Sequence, residues 1–331
     1  MKRPIKLIIQ IPCFNEESVL PLTIADLPRE VAGIDIVEWL VVDDGSSDRT
    51  AEIATSLGVD HVVSHSRNRG LAAAFMTGID ACLRAGADII VNTDADNQYD
   101  GRSIPDLVAP VVAGTAAMVV GERPIESIDD FSRTKKLLQR FGSSVVRRFS
   151  GTGVRDAASG FRAYSRSAAM QVQVFGNYSY TMETIIQAGW NGIAIESVPI
   201  AVNAKTRDSR LVKSIPQYLS RSSQSIVRAF ALYKPFRFFF TVGLLPFVLG
   251  VGLLLRWLVL SLVSDEYLSR LPSLLTGIGL MLVAAQIWSV AFLADLQAAN
   301  RRVLQELRLR SLELEFAQTN GPDDETPQTP G

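Results

Sequence analysis

Residues 87–100 read ADIIVNTDADNQYD, an apolar run that ends in two carboxylates, Asp94 and Asp96, one residue apart. The run is short and rich in β-branched residues, and polar residues follow it at once. This pattern predicts a buried strand and a loop after it. The question that the stretch raises is why a buried strand should end in two adjacent like charges.

Two carboxylates about 4 Å apart would repel each other by about 4 kcal/mol at an effective dielectric constant near 20, so they require a cation. Hard oxygen ligands suit Mg²⁺ or Mn²⁺, which commonly bind one or two protein carboxylates and complete their shell with phosphate oxygens and water. The stretch therefore predicts a divalent ion that holds a diphosphate. An aspartate after a strand also commonly caps the next helix, and for this motif alone that alternative stays open.

The same pattern recurs on both sides of this stretch, from residue 5 to about residue 202. Apolar runs alternate there with segments of helical period, and the runs are IKLIIQIP, VEWLVVDD, HVVS, ADIIVNTD and AAMVVGE. The alternation predicts an α/β fold with a mostly parallel, Rossmann-like sheet flanked by helices. Such sheets bind ligands outside the carboxyl ends of their strands, so the polar clusters after the strands should line one crevice.

Two other strand ends are acidic. VVDDGSSDRT places Asp43 and Asp44 directly after a strand, where carboxylates can accept hydrogen bonds from a nucleobase or from ribose hydroxyls. The stretch Asn15-Glu16-Glu17 could contact the same nucleoside or cap a helix. Three acidic loops in order along one sheet are difficult to explain by capping alone, and they favour a nucleotide site.

Composition excludes several other classes of site. The net charge of −1 is unevenly distributed, so partners must be inferred from local charge, and no nucleic acid is expected. Cys13 and Cys82, with only His61 and His65 beside them, give neither a disulfide framework nor a zinc site, and both cysteines are interpreted as buried thiols. The amino-terminal apolar run is too short for a signal peptide and is interpreted as a strand.

The second half of the chain has the composition of a membrane protein. Residues 238–255 and 271–294 contain no charged side chain. At 1.5 Å per residue they suit a hydrocarbon core about 30 Å thick, which predicts two transmembrane helices over about 238–262 and 271–294. Two buried helices of a soluble core are the alternative.

Charges beside these helices predict their orientation. Residues 205–237 hold eight basic residues and one acidic residue, four arginines follow the second helix, and the connecting loop has one arginine beside two acids. By the positive-inside rule, the domain that precedes these helices and both termini are expected to be cytoplasmic. Residues 205–237 also mix basic, aromatic and apolar side chains, which is typical of amphipathic helices at a membrane surface, although an ordinary solvated helix face is the alternative.

Two segments remain after the predicted membrane helices. Residues 295–318 have the pattern of a cytoplasmic amphipathic helix that could self-associate, so a homo-oligomer is expected. Residues 319–331 are polar and rich in proline, and they are predicted to be disordered.

The motifs, taken together, carry a resemblance to a known family. In order and approximate spacing, the chain resembles glycosyltransferase family 2 enzymes with the GT-A fold through PCFNEE, VVDDGSSDRT, NRGLAAAFMTG, DADNQ and DAASGFRAYSR. The resemblance covers roughly residues 5–210, and it implies a catalytic domain over residues 1–204. With its two carboxyl-terminal membrane helices the chain is most similar to the polyprenyl-phosphate sugar transferases, relatives of dolichol-phosphate mannose synthase.

This resemblance implies a membrane-bound, metal-dependent, inverting glycosyltransferase. It would move a hexose from a UDP- or GDP-linked donor to an undecaprenyl or dolichyl phosphate on the cytoplasmic face. The residues that match the nucleoside-holding positions of the family are Pro12, Phe14, Glu16 and Asp44. The residues that match its metal and diphosphate loop are Asp94, Ala95, Asp96 and Gln98.

The resemblance also implies phosphate contacts and a base. Arg123 matches an arginine that meets the donor phosphates, and Asp156 matches an acid near the reaction centre that is a candidate base. Glu183 is a second acidic candidate, although at a helix start it would equally favour the helix dipole. The family's basic pattern after the last strand is only loosely present. The candidates for the acceptor phosphate are Arg133, Lys136, Lys205, Arg207 and Arg210.

Other functions were weighed against this one. A processive polysaccharide synthase would carry a Q-x-x-R-W motif and more membrane helices, and neither is found. A transferase to another lipid such as diacylglycerol stays open. An inactive, membrane-anchored scaffold would be expected to have a broken metal loop, whereas the sequence Asp94-Ala95-Asp96 is intact.

Overall fold

The computed structural model describes residues 3–124, 142–148, 150–174, 180–203, 234–263 and 271–319, with isolated residues at 224, 227, 228, 230 and 231. The chain divides into two compact units. The first comprises Met1–Ile226 with Ser311–Gly331, and the second comprises Val227–Arg310.

The first unit is built on a seven-stranded sheet. In chain order the strands are β1 (Lys6–Cys13), β2 (Ile36–Asp43), β3 (His61–Ser64), β4 (Ile89–Asn92), β5 (Met118–Glu122), β6 (Arg162–Ser165) and β7 (Ile195–Pro199). Their spatial order is β3-β2-β1-β4-β6-β5-β7. Only β6 runs antiparallel to its neighbours, β4 and β5. The predicted α/β fold with a mostly parallel sheet is confirmed.

Helices flank this sheet. They are α1 (Leu20–Asp26), α2 (Thr50–Ser56), α3 (Leu71–Arg84), α4 (Ile104–Val112), α5 (Arg166–Gln171) and α6 (Thr181–Trp190). The central strands are buried on both faces, as their near-continuous apolar sequences indicate. One face packs on α4, where Ile9, Val91 and Leu107 belong to one apolar cluster.

The register of the sheet brings the polar loops to one edge. Cys13 pairs with Asp43, and Gln10 pairs with Asn92, so β1, β2 and β4 end close together. Asn15 and Asn97 each have a φ of 55°, in the left-handed region. Asparagine tolerates this conformation better than most residues, so the chain turns sharply just after β1 and after β4. The polar loops therefore lie at the edge of the sheet where the sequence predicts a crevice.

The second unit contains two long apolar helices, α7 (Pro235–Val263) and most of α8 (Leu271–Thr319). By length and composition both are candidate membrane spans, with mean hydropathy of 2.4 and 1.9. Only 11% and 17% of their most apolar windows are buried within the protein. A helix from the core of a soluble protein would be mostly buried, so this exposure favours the lipid-facing interpretation.

Small residues pack these two helices together. Gly243 and Gly250 of α7 are buried seven residues apart, and Gly277, Ala284 and Ala291 of α8 repeat at the same spacing. A seven-residue repeat keeps one seam facing the neighbouring helix, and small side chains let two membrane helices approach closely. The pairing of α7 with α8 is thus encoded by its smallest residues.

The helix bounds differ from the predicted segments at one place. The predicted membrane segments 238–262 and 271–294 lie inside α7 and α8, but α8 continues without a break through 295–318. No glycine or proline occurs between Gly279 and Thr319, so nothing in the sequence ends the helix there. Most of the predicted surface segment 205–237, and residues 320–331 of the predicted tail, lie outside the described residues.

Candidate active site

The acid pair lies in the loop directly after β4. The side chain of Gln98 donates to Asp96 (Nε2 to Oδ2, 2.9 Å), and its backbone N–H donates to Oδ1 at 3.2 Å. The carbonyl of Ala95 accepts from the Thr23 hydroxyl of α1 at 2.9 Å. The Gln98 contacts hold the loop internally, and the Thr23 contact joins it to α1. Asp94 and Asp96 lie on this loop as predicted.

Burial and neighbouring charges determine the protonation of this pair. Burial, followed by the charge of Asp96, raises the pKa of Asp94 to about 7, while the positive charges of Arg123 and Arg162 oppose that rise. A bound cation would stabilise the ionised form of this carboxyl and so offset the effects of burial and of Asp96. Among the described residues no three carboxylate, histidine or cysteine side chains come together as a ligand set. The two aspartates therefore fit Mg²⁺ or Mn²⁺ only if phosphate oxygens or water complete the shell.

Arg123 and Asp156 form a second charged group at the site. Arg123 follows β5, and its guanidinium donates to both carboxylate oxygens of Asp156 (Nε to Oδ2, 2.7 Å; Nη2 to Oδ1, 3.0 Å). Asp156 is fully buried, while the Arg123 side chain keeps 16% of its exposure. This two-point pairing orients the guanidinium, and arginine in this geometry is well suited to phosphate.

The loops after β1 and β2, which are predicted to hold the nucleoside, contact each other. The backbone N–H of Asn15 donates to Ser46 Oγ (2.9 Å), and its side-chain oxygen accepts from the N–H of Ser47 (2.8 Å). The N–H of Glu16 donates to Thr50 Oγ1 at 2.9 Å. The two loops are therefore held together by reciprocal hydrogen bonds.

The four predicted nucleoside-holding residues occupy different environments. Pro12 lies within β1, and Phe14 follows that strand with 39% of its surface exposed. Glu16 is buried, and its charge acts on Asp94, so it belongs to the same electrostatic cluster. An exposed aromatic ring beside fixed loops offers a stacking surface for a planar base.

Asp44 is engaged within the protein. Its two oxygens accept from the backbone N–H groups of Arg69 (2.9 Å) and Gly70 (2.8 Å), and His65 Nδ1 lies 2.7 Å from Oδ1. Asp44 thus fixes the start of α3 against the end of β2. Its predicted contact with a nucleoside stays a prediction, as do the other assigned roles.

Of the remaining predicted site residues, the structure describes only Glu183. Glu183 is buried in the first turn of α6. The five candidates for the acceptor phosphate, namely Arg133, Lys136, Lys205, Arg207 and Arg210, lie outside the described residues.

Sequence reasoning missed several polar residues beneath the acid pair. Asn92, Arg162 and Tyr180 are buried, and they contact the loop 156–160 that begins with Asp156. The only sequence signal was a polar residue within an apolar strand, as in the asparagine of IIVNT and the arginine of GFRAY.

Comparisons with known proteins agree with this geometry. Residues 8–173 match the family described as glycosyl transferase family 2. The chain is 29% identical over 204 residues to polyprenol monophosphomannose synthase of Mycolicibacterium smegmatis, which covers 58% of this chain and 76% of that protein. It is 29% identical over 313 residues to dodecaprenyl-phosphate galacturonate synthase of Rhizobium johnstonii, which covers 89% of this chain and 88% of that protein.

Solved structures with the same fold exist. Glucosyl-3-phosphoglycerate synthase of Mycobacterium tuberculosis, crystallised with Mn²⁺, UDP and glucosyl-3-phosphoglycerate, has a TM-score of 0.55 and 22% identity. The likeness covers 69% of this chain and 80% of that one. At this level of identity it establishes the GT-A fold.

Proposed function

The chain belongs to glycosyl transferase family 2, and on that premise we propose that it transfers a hexose from a UDP- or GDP-linked donor to a polyprenyl phosphate. One observation carries the proposal. The match to dodecaprenyl-phosphate galacturonate synthase covers 89% of the chain, so it includes α7 and extends into α8. Relatedness over the sheet domain and the apolar helices together favours a lipid-linked acceptor.

Asp94 and Asp96 would hold Mg²⁺ or Mn²⁺, which when bound there neutralises the leaving diphosphate as a Lewis acid and orients it. The hydrogen bonds from Gln98 keep Asp96 in position before the donor arrives. Arg123, oriented by Asp156, would donate to the donor phosphates. The loops after β1 and β2, with Phe14 at their surface, would hold the nucleoside.

The transfer step is a single displacement. A phosphate oxygen of the lipid attacks the anomeric carbon, and the bond from that carbon to the diphosphate oxygen breaks. Attack from the face opposite the leaving group inverts the configuration. A phosphate monoester has its second pKa near 6 and is largely ionised at pH 7, so the attacking oxygen requires little help from a base.

Asp156 has a positioning role in this mechanism. Both of its oxygens accept from Arg123 and it is fully buried, so it orients a phosphate-binding arginine instead of removing a proton. Glu183, in the first turn of α6, is the second acidic candidate at the acceptor side. The basic residues assigned to the acceptor phosphate complete the site in this proposal.

The apolar helices suit an acceptor that cannot leave the bilayer. We assign α7 and α8 as the membrane anchor, with the sheet domain and both termini in the cytoplasm, from the excess of basic residues that flank the helices. The anchor keeps the transferase at the surface where an isoprenoid phosphate presents its head group.

The test is a donor panel with the full chain in detergent or liposomes. UDP- and GDP-linked hexoses are each incubated with polyprenyl phosphate and Mn²⁺, and the lipid product is identified by mass. We expect one donor to give a hexosyl polyprenyl phosphate, and Asp96→Asn to give none while still entering the membrane. A product on diacylglycerol would reassign the acceptor, and no product with any donor would favour an inactive scaffold.

A further inference from the structure

Three polar side chains form a row across the centre of the buried sheet. Gln10, Asn92 and Arg162 lie on the adjacent strands β1, β4 and β6, and all three are fully buried. The register pairs Gln10 with Asn92 and Asn92 with Arg162. Cross-strand partners point to the same face of a sheet, so these residues, called here the polar row, share one face. It is the face opposite the apolar cluster that includes Ile9 and Val91.

Asn92 is the centre of the polar row and uses its whole amide group. Its nitrogen donates to the carbonyl of Gly160 (2.9 Å) and to the hydroxyl of Tyr180 (2.7 Å). Its oxygen accepts from Gln10 Nε2 at 2.9 Å. A carbonyl can only accept, so the partner at Gly160 determines which way the amide is oriented.

Through Gly160, Asn92 acts on Asp94. The N–H of Gly160 donates to the hydroxyl of Tyr99 at 2.9 Å, so both backbone groups of this residue are held. A Cβ added at Gly160 would lie 3.1 Å from each carboxylate oxygen of Asp94. Gly160 therefore lies directly against the carboxylate of Asp94, and the hydrogen bond from Asn92 fixes the position of Gly160.

Arg162 holds the rest of the same loop. Its guanidinium donates to the carbonyl oxygens of Ser159 (2.8 Å) and Ala157 (3.1 Å), and to Thr184 Oγ1 in α6 (2.5 Å). The loop 156–160 begins with Asp156, which orients Arg123. Through the loop 156–160, the polar row thus supports both the Asp94–Asp96 pair and the Arg123–Asp156 pair.

Stability alone does not explain the polar row. In its present conformation Gln10 lies against Gly78 of α3, and a Cβ at that position would lie 2.2 Å from the side-chain oxygen of Gln10. A glycine inside a helix is unfavourable, and the same oxygen has no hydrogen-bond partner among the described residues. Apolar side chains at positions 10 and 92 would fill the same buried space without the desolvation penalty of the two amide groups. The arrangement is better suited to placing the loop than to holding the sheet.

We propose that the polar row positions the reaction centre, with Asn92 as its central positioning residue. The proposal rests on the transferase function proposed above. The structural part of the proposal can be tested without that function. Removal of the Asn92 amide should release the loop 156–160 and let Asp94 and Arg123 shift apart.

The first test uses variants of the full-length protein. Asn92→Leu and the double variant Gln10→Leu/Asn92→Leu both remove the central hydrogen bonds. In the single variant the buried amide of Gln10 loses its acceptor, whereas the double variant removes both amides together. Tyr180→Phe keeps the ring stacked on Phe75, 3.9 Å between centroids, and removes only the hydroxyl. The control is Leu107→Ala, which removes a fully buried side chain from the opposite face of the sheet.

Two measurements separate positioning from general destabilisation. We expect kcat to fall about 10- to 100-fold in the double variant and less in Tyr180→Phe, since small misplacements of reacting groups have effects of this size. Hydrogen exchange of the Gly160 amide should become faster in these variants and stay at the wild-type rate in Leu107→Ala. The thermal midpoint of the double variant should not fall below that of Leu107→Ala.

The outcomes distinguish the two proposals. If the double variant and Tyr180→Phe keep wild-type kcat, or lose no more than Leu107→Ala does, the positioning role is wrong. Unchanged exchange at Gly160 would contradict it even if activity fell. If the wild-type protein transfers no sugar, the proposed function fails, while the exchange measurement still decides whether the polar row holds the loop.

Discussion

Asp94 has an unfavourable electrostatic environment, because its buried carboxyl lies near the charge of a second carboxylate, Asp96. Burial and the charge of Asp96 raise its pKa to about 7, so in the absence of a cation it is half protonated near neutral pH. A proton and a divalent ion then compete for the same carboxylate. The residue therefore links pH to ligand binding.

The affinity for Mn²⁺ should consequently depend on pH. Below about pH 7 it should rise up to about tenfold per pH unit as Asp94 loses its proton, and it should level off above that pH. Because the folded protein holds this proton more tightly than the unfolded chain does, the proton's contribution to metal-free stability is lost as the pH rises through about 7. Calorimetric titration from pH 5.5 to 8.5 measures the affinity, and an equally steep rise in Asp94→Asn would contradict the assignment.

Gly160 allows a second prediction at the residue scale. An added Cβ would lie 2.8 Å from the Tyr180 hydroxyl and 3.1 Å from both oxygens of Asp94, whereas a Cβ at Gly153 would meet nothing within 4 Å. We expect Gly160→Ala to lower kcat about 10- to 100-fold by displacing Asp94. Gly153→Ala in the same region should stay within about twofold of wild type. Equal rates in the two variants would show that the contact is unimportant.

Single residues were predictable where the local pattern was sufficient. The acid pair could be located because polar residues follow an apolar strand, and Arg123 and Asp156 were found through the family motifs. Their pairing could not be read from spacing, because it joins loops 33 residues apart. The polar row was missed because its members lie far apart in the sequence, and only the register of β1, β4 and β6 brings the three together.

At the scale of elements, the pairing of α7 with α8 depends on close approach of backbones. A Cβ at Gly250 would lie 2.9 Å from the carbonyl of Gly277, whereas Gly252, two residues on, would meet nothing within 4 Å. Gly250→Ile should therefore lower the free energy of unfolding by about 1–3 kcal/mol through overpacking. Gly252→Ile should change it by less than about 0.5 kcal/mol.

Unfolding of both variants in mixed detergent and dodecyl sulfate micelles gives the comparison. A loss in Gly252→Ile as large as that in Gly250→Ile would mean that the effect comes from the helix itself and not from its contact. Retention of stability in both would show that the seam of small residues does not hold the hairpin.

Some elements were visible in the sequence and others were not. The five predicted strands are all present, and the central ones were recognisable because parallel strands buried on both faces read as apolar runs. The antiparallel β6 is only four residues long and continues directly into α5, so no turn signal separates this strand from the helix. The pattern that suggested a separate helix after residue 294 reflects a change of surroundings along α8, since the backbone continues unbroken.

At the scale of the whole molecule, the orientation proposed for the chain rests on the basic residues that flank its apolar helices. We expect Ser269→Cys, at a sequence position between the two apolar helices, to react with an impermeant maleimide in intact cells. Thr326→Cys, near the carboxyl terminus, should react only after the membrane is permeabilised. Both native cysteines are buried, which keeps the background low. The reverse pattern would place the sheet domain outside the cytoplasm.

The central claim concerns the acid pair and a nucleotide diphosphate, and calorimetric titration of UDP and GDP tests it most directly. In the presence of Mn²⁺ we expect the wild-type protein to bind one of them. Asp94→Asn/Asp96→Asn should bind it at least about 100-fold more weakly, a loss of about 2.7 kcal/mol. Withdrawal of Mn²⁺ should weaken wild-type binding to a similar degree. Equal affinity in the double variant, with or without the ion, would contradict the account.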